Sequence, residues 1–307
     1  MKSFDLIVIG SGAGLNVAGG AAEQGLKVAI VEDGPLGGTC LNRGCIPSKI
    51  VIHSAETAET IKNASQFGLT AKLTTVNFNA VTNRASKTVD SDAHSIEKNI
   101  RAEKNPALFK GRGRFVDKNV IEVNGEHITG KKIVIATGAR PFIPPIHGLD
   151  RVPYLTSTEA LRQTKRPQSM IILGGGYIGV ELGFFYAALG TKVTIVQRNN
   201  VLIPREDKDI ALTITNLWKK KYHLLLNTDA IKVEPNGKKI AVTVKTGNKT
   251  TKISAEKLLV ATGVKPNTDT LALEKSGIET TKQGFIKVNK YMETNVENIW
   301  ALGDIAG

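Results

Sequence analysis

Cys40 and Cys45 are the only two cysteines in a chain of 307 residues. They lie in the run Gly37-Gly38-Thr39-Cys40-Leu41-Asn42-Arg43-Gly44-Cys45-Ile46-Pro47-Ser48-Lys49. A disulfide closing so short a loop removes little entropy from the unfolded chain, so this spacing points to redox chemistry rather than stapling. Two thiols on the first turns of a helix sit in the positive field of its N-terminus. That field favours the thiolate, the form that attacks a disulfide. Arg43, between the two cysteines, is expected to lower the Cys40 pKa and to attract an anionic substrate. Gly38, Thr39 and Lys49 around the pair read as parts of a phosphate-binding loop. His53, His94, His127, His147 and His223 fall in no catalytic motif, and no set of residues has metal-ligand spacing.

Two glycine-rich loops supply a second kind of chemistry. Gly10-Ser11-Gly12-Ala13-Gly14 follows an apolar strand and opens a helix. Gly10 allows the tight turn, and Gly12 lets the backbone approach a pyrophosphate at the helix N-terminus. Glu32, at the end of the next strand, is placed to accept from ribose hydroxyls. Position 15, where G-x-G-x-x-G would end in glycine, is Leu15. The second loop, Gly174-Gly175-Gly176-Tyr177-Ile178-Gly179, satisfies the motif in full. Gln197 stands where a carboxylate would bind the 2′-hydroxyl of NAD, and Arg198 and Arg205 follow it. Arginine binds phosphate bidentately, so this position favours NADPH over NADH.

Each loop needs a strand before it and a helix behind it, and the chain supplies both twice. Phe4 to Ile9, an Ala-rich helix and Lys27 to Val31 form one strand–turn–helix–strand series. Met170 to Leu173, a helix through Leu189 and Lys192 to Val196 form the other. Nearly continuous apolar strands separated by helices predict parallel sheets covered on both faces. The expected fold is α/β, with two doubly wound Rossmann-like dinucleotide-binding domains, the second inserted in the first. Residues 1–147 form the first part of an FAD-binding domain, 148–268 an NAD(P)-binding domain, and 269–307 the return to the first. Residues 52–105 read as helical and polar, and 109–135 as short strands. Leu258 to Gly263 echoes Ile133 to Gly138. The end at Gly307, directly after a strand, reads as truncated.

The net charge of +13 comes with few aromatics and no nucleic-acid motif, so it suits anionic dinucleotides rather than nucleic acid. No apolar run approaches the roughly 18 residues of a membrane helix. The N-terminus lacks a signal-peptide pattern, and two cysteines make no disulfide framework, which together point to the cytoplasm.

Taken together, these residues resemble the flavin-dependent pyridine nucleotide–disulfide oxidoreductases, and among them the dihydrolipoamide dehydrogenase branch. The Cys40–Lys49 segment and the Asp207-Lys208-Asp209-Ile210 run carry the resemblance, which covers nearly the whole chain. It implies that the first loop holds FAD with Glu32 on its ribose, Gly113 close to the adenine, Thr137 and Gly138 against the nucleotide, and Asp304 on the ribitol or a phosphate. Cys45 would be the thiol against the flavin and Cys40 the outer thiol that exchanges with a dithiol/disulfide substrate, free or on a lipoyl domain. Lys49 would pair with Glu181 beside the flavin, and Tyr177 would cover the nicotinamide site until the cofactor displaces it. The second strand-end glycine, Gly263, joins the cofactor-binding set. The family carries a further C-terminal domain that makes a homodimer and supplies a His-Glu base for the outer thiol. This chain ends before it, so its turnover is expected to be impaired. Two other readings stay open: a mercuric-reductase-like metal-ion reductase, and a non-catalytic redox-sensing flavoprotein module.

Overall fold

A computed structural model describes every residue, Met1–Gly307. The chain divides into two compact units. Met1–Ile46, Thr88–Arg140 and Val264–Gly307 form the first, and Pro47–Lys87 with Pro141–Gly263 form the second. The leading elements are β1 (Lys2–Ile9), α1 (Gly14–Glu23), β2 (Val28–Glu32), α2 (Gly38–Arg43), α3 (Cys45–Lys62) and α4 (Phe78–Ala102). Short strands follow: β3 (Ala107–Lys110), β4 (Gly113–Asp117), β5 (Val120–Val123), the longer β6 (Glu126–Ile135) and β7 (Ala139–Pro141). The inserted segment holds α5 (Ser157–Ala160), β8 (Ser169–Leu173), α6 (Tyr177–Ala188), β9 (Lys192–Val196), α7 (Lys208–Lys221) and β10 (His223–Leu225). It continues through β11 (Thr228–Asn236), β12 (Lys239–Thr246), β13 (Lys249–Ala255) and β14 (Lys257–Val260). Then β15 (Val264–Pro266) and β16 (Ile299–Ala301) return to the first unit.

In the first unit the sheet runs β3-β2-β1-β6-β5-β4, and β16 also pairs with β6. Its core pairs are parallel, while β4–β5 and β5–β6 are antiparallel. The apolar run of β1 is buried on both faces because side chains alternate across a strand. Leu6 and Val8 pack with Ala18, Ile30 and Val134, whereas Ile7 and Ile9 pack with Phe115, Ile121, Ile286 and Ile299.

The second unit repeats the plan with a parallel sheet, β10-β9-β8-β14. Met170 and Ile172 of β8 face Leu182, Phe185 and Tyr186 of α6. Ile171 and Leu173 face Val233, Val242 and Val244 of the antiparallel layer β11-β12-β13. The α/β architecture with two doubly wound sheets is thus the one expected. Sequence order assigns Pro47–Lys87 to the first segment, but its apolar stripes pack in the second unit. Val51, Ala55 and Ala58 of α3 and Phe78 and Ala85 of α4 share a cluster with Phe185 and Tyr186, and the Phe78 ring stacks on Phe185 at 5.4 Å. An amphipathic helix goes where its apolar face is covered, whatever its place in the chain. No helix is long and apolar enough to cross a membrane.

Candidate functional site

The two thiols do not share one helix. Gly44, at φ −134° and ψ −112°, separates α2 from α3, and a Cβ there would meet the Thr39 carbonyl oxygen at 2.9 Å. Cys40 therefore lies within α2, and Cys45 is the first residue of α3. Both are exposed thiols, not joined in a disulfide, and their side chains hydrogen-bond to each other. That bond, then burial, pushes the Cys40 thiol above its ordinary value. The backbone amides of Cys45 and Ile46 pull it down without reversing the direction. The expected helix-field activation of Cys40 is corrected on this point: the neighbouring sulfur outweighs the amides. The Arg43 side chain turns toward Gly34, where an added Cβ would lie 3.6 Å from Arg43 Nη2 and 3.3 Å from Glu32 Oε1. The groups that move the Cys40 thiol most are Cys45 and burial, not Arg43.

The first loop closes tightly on the strand beside it. A Cβ on Gly10 would meet the Ala136 carbonyl oxygen at 2.3 Å, and Gly10 has φ +101°. Gly14 is buried, and a Cβ there would meet Val8 Cγ1 at 2.7 Å and Ala136 Cβ at 3.1 Å. Gly14 thus takes the helix-to-strand packing role that the missing glycine at position 15 would have had. Glu32 accepts from Ser11 N at 2.8 Å, Ser11 Oγ at 2.6 Å and Gly34 N at 2.7 Å. It therefore ties the loop to the end of β2. Gly38 lies against Gly12, its would-be Cβ 2.5 Å from Gly12 Cα, so Gly38 and Thr39 join the same loop cluster.

Three further groups converge on this place. Thr137 Oγ1, just past β6, is buried with no hydrogen-bond partner. Gly138, at φ +64°, faces open space. Gly303 lies against Ala13, its would-be Cβ 3.9 Å from Ala13 Cβ, which brings the Asp304 turn to the start of α1. A buried orphan hydroxyl, an open glycine and a helix N-terminus fit the phosphate-bearing half of a dinucleotide such as FAD. Gly113 is placed differently. It is packed on Val31, Ile121 and Ile9, so its lack of a side chain serves the core.

The second loop repeats the first closely. A Cβ on Gly174 would meet the Ala261 carbonyl oxygen at 2.2 Å, the counterpart of the Gly10–Ala136 contact. A Cβ on Gly179 would meet the Gly174 carbonyl oxygen at 2.0 Å. Gly176 caps α6 with nothing within 4 Å of its would-be Cβ, and Gly263 is equally open. Tyr177 and Ile178 are exposed at the start of α6. The Tyr177 hydroxyl donates to Glu206, a bond that raises its pKa. Gln197 is buried: its Oε1 accepts from Gly175 N at 3.2 Å and its Nε2 donates to Val201 O at 3.1 Å. Its amide is used inside the loop, while Arg198 and Arg205 are exposed. In the same unit Lys49 of α3 pairs with Glu181 of α6, as the resemblance implies.

Sequence reasoning passed over two residues that organise these loops. Asn42 is buried, and its Nδ2 donates to Pro35, Leu36 and Gly38 carbonyls at 3.3, 2.9 and 3.0 Å. It fastens the cysteine helix to the first loop cluster. A small amide midway between two cysteines was the available signal. Glu206, the Tyr177 partner, was hidden among exposed charges beside Arg205. His53 lies on the exposed face of α3 opposite Glu56, and no group of side chains forms a metal site.

A family model described as pyridine nucleotide-disulphide oxidoreductase matches residues 4–307. A mercuric reductase of Staphylococcus aureus is 38% identical over 304 residues, covering 98% of this chain and 56% of that protein. A dihydrolipoyl dehydrogenase of Bacillus subtilis (strain 168) is 38% identical over 311 residues, covering 98% and 65%. The solved Cu(II) complex of the HOCl-induced flavoprotein disulfide reductase RclA from Escherichia coli superposes with a TM-score of 0.88 at 30% identity, covering 100% of this chain and 67% of that one. The chain spans 56% to 65% of the length of these two curated relatives.

Proposed function

The chain belongs to the pyridine nucleotide-disulphide oxidoreductase family, and from that premise we propose that it exchanges electrons between NAD(P)H and the Cys40–Cys45 couple through bound FAD. One observation carries the proposal. A hydrogen-bonded pair of exposed thiols shares a unit with a dinucleotide loop whose Thr137 hydroxyl is buried and unpartnered. The division of labour we propose follows the chain: 1–147 and 269–307 hold FAD, and 148–268 holds the nicotinamide nucleotide.

FAD, when bound, supplies the relay between a two-electron hydride donor and sulfur. Gly10, Gly12 and Gly14 would admit its pyrophosphate to the N-terminus of α1, Glu32 would orient its ribose, and Thr137, Gly138 and Asp304 would complete the cradle. Gly174, Gly176 and Gly179 do the same for the nicotinamide nucleotide at α6. Arg198 and Arg205 supply the cations that favour NADPH. Lys49, directed by its ion pair with Glu181, would supply a positive charge where reduction develops a negative one. Cys45 would be the thiol that faces the cofactor, and Cys40 the one that attacks or releases the external sulfur as thiolate. Two electrons and two protons convert the Cys40–Cys45 disulfide to two thiols, and thiol–disulfide exchange returns both to an external disulfide. The same steps run in reverse from an external dithiol. Because Cys40 is held protonated by its neighbour, fast exchange calls for a base.

Dihydrolipoamide is the substrate we favour, in a cytoplasmic homodimeric parent. The mercuric reductases, matching at the same identity, support reduction of a thiol-bound metal ion as a second reading. Anaerobic addition of NADPH or NADH tests the wiring. Two alkylatable thiols and a long-wavelength thiolate–flavin absorption band should appear, and Cys45→Ser should abolish both. Reduction of FAD without any new thiol would refute the Cys40–Cys45 assignment. Turnover of lipoamide against Hg²⁺ in the whole protein then separates the two readings.

A further inference from the structure

The loop after β9 holds an unusual backbone. Ile203 has φ +42° and is 5% exposed, and a β-branched residue in that left-handed region is a steric outlier. Surrounding contacts keep it there. Ile203 N donates to Gly175 O at 2.7 Å, directly under the second dinucleotide loop. Leu202 fills the space over Gly175, its Cδ2 2.6 Å from where a Cβ would stand, and Leu202 N donates to Thr215 Oγ1 of α7 at 2.9 Å. Glu206 N closes the turn on Ile203 O at 3.0 Å. Beyond the contacts that hold it under the loop, this strained, triply anchored turn carries one that reaches out to α6: the Glu206 carboxylate on the Tyr177 hydroxyl. Both side chains are exposed, and a hydrogen bond between exposed groups adds little stability. A contact of this kind, held out from a rigid turn onto the residue after Gly176, points to positioning rather than to folding.

Tyr177 is the residue after Gly176, whose open side faces the N-terminus of α6. Arg205, next to Glu206, also acts on the Tyr177 hydroxyl. We propose that Glu206 is a positioning residue that latches Tyr177 at the second loop, and that a pyridine dinucleotide must break this latch to bind. This rests on the reading of that loop as the nicotinamide-nucleotide site. The latch is expected to oppose both NAD and NADP, and Arg205 offers the extra phosphate of NADP a cation beside the departing carboxylate.

The test is a cycle of Glu206→Ala, Tyr177→Phe and the double variant on the whole protein. NADP⁺ and NAD⁺ dissociation constants are measured by calorimetry, and tyrosine ionisation by ultraviolet difference absorbance. Glu206→Ala should tighten NADP⁺ and NAD⁺ binding about two- to fivefold, the range of an exposed polar contact, and bring one tyrosine titration to lower pH. Tyr177→Phe should give a similar gain and remove that titration, and the double variant should add nothing further. The latch is overturned if Glu206→Ala leaves affinity and titration unchanged. It is equally overturned if its gain persists in full in the Tyr177→Phe background, because carboxylate repulsion alone would then account for it. A wild-type protein that binds neither nucleotide overturns the loop reading itself, and the latch with it.

Discussion

At the level of single residues, the sulfur pair sets a measurable asymmetry. Cys40 donates into its neighbour, so its proton is held more tightly than that of an ordinary thiol of pKa ~8.5. Alkylation of Cys40 in the dithiol form should therefore rise with pH through a midpoint above that value. Cys45→Ala removes the largest cause and should move the midpoint down. An unmoved midpoint, read by mass spectrometry of iodoacetamide-treated protein, would disprove the sulfur–sulfur origin. The same logic gives a folding term of stated sign. The protonated form is favoured in the native state, so its contribution is full below the unfolded-state pKa and is lost as pH rises through the folded one. Lys49–Glu181 supplies a second test. Their side chains are 63% and 38% exposed, so Glu181→Gln should change stability by no more than about 0.5 kcal/mol. It should nevertheless slow anaerobic reduction of bound FAD by NADPH about tenfold or more, as loss of a preorganised charge does. Stopped-flow rates equal to wild type would make the pair a surface ornament. The cysteines were legible because their number and spacing are properties of the chain. The direction of Arg43 was not, because adjacency in sequence leaves a long side chain free to turn toward Gly34 rather than Cys40.

Elements explain why the two loops look alike. Ile133–Gly138 and Leu258–Gly263 echo each other because each ends a strand whose next carbonyl, Ala136 O or Ala261 O, abuts the first glycine of a loop. Hydrophobic periodicity and glycine spacing carried this much. They could not carry the fate of Gln197, since a polar residue at a strand end is equally suited to ribose and to loop support. Its two internal hydrogen bonds assign it the second role. Gln197→Glu should accordingly destabilise the second unit by about 1–3 kcal/mol, by leaving Val201 O without its donor, rather than simply convert the site to NAD. Chemical denaturation together with NAD⁺ and NADP⁺ titration distinguishes these. The glycines divide in the same way. Gly176, at φ −79° with open space around it, should accept alanine without loss of fold, while the new methyl blocks the dinucleotide. Gly179→Ala drives a Cβ into Gly174 O at 2.0 Å and should lower the melting temperature as well. If Gly176→Ala binds NADP⁺ as wild type does, the loop does not hold the pyrophosphate.

On the scale of the whole chain, the first unit is built from three separated segments, and the last of them closes its core. Val264–Gly307 contributes Leu271, Leu273, Ile278, Ile286, Val296, Ile299, Ala301 and Ile305 to the cluster under β1 and β6. It also places Asn267, which donates to Gly138 O from its backbone at 3.0 Å and to Thr137 O from its side chain at 2.8 Å. Arg140 meets Asp269 with both guanidinium nitrogens, tying the end of the second segment to the start of the third. The cradle we propose for FAD is therefore supported by residues far from it in sequence, whereas the second unit has its own clusters around Phe185 and Val242. This separation makes a sharp prediction. Ile286 is fully buried in the first cluster, so Ile286→Ala should cost about 2–5 kcal/mol there. Amide exchange in β1 and β6 should quicken and FAD should dissociate more readily, while exchange in β8 and β9 and the affinity for NADP⁺ stay at wild-type values. Equal loss of protection in both sheets would show instead that the two nucleotide sites stand or fall as one cooperative unit, and that FAD retention cannot be tuned from the returning segment alone.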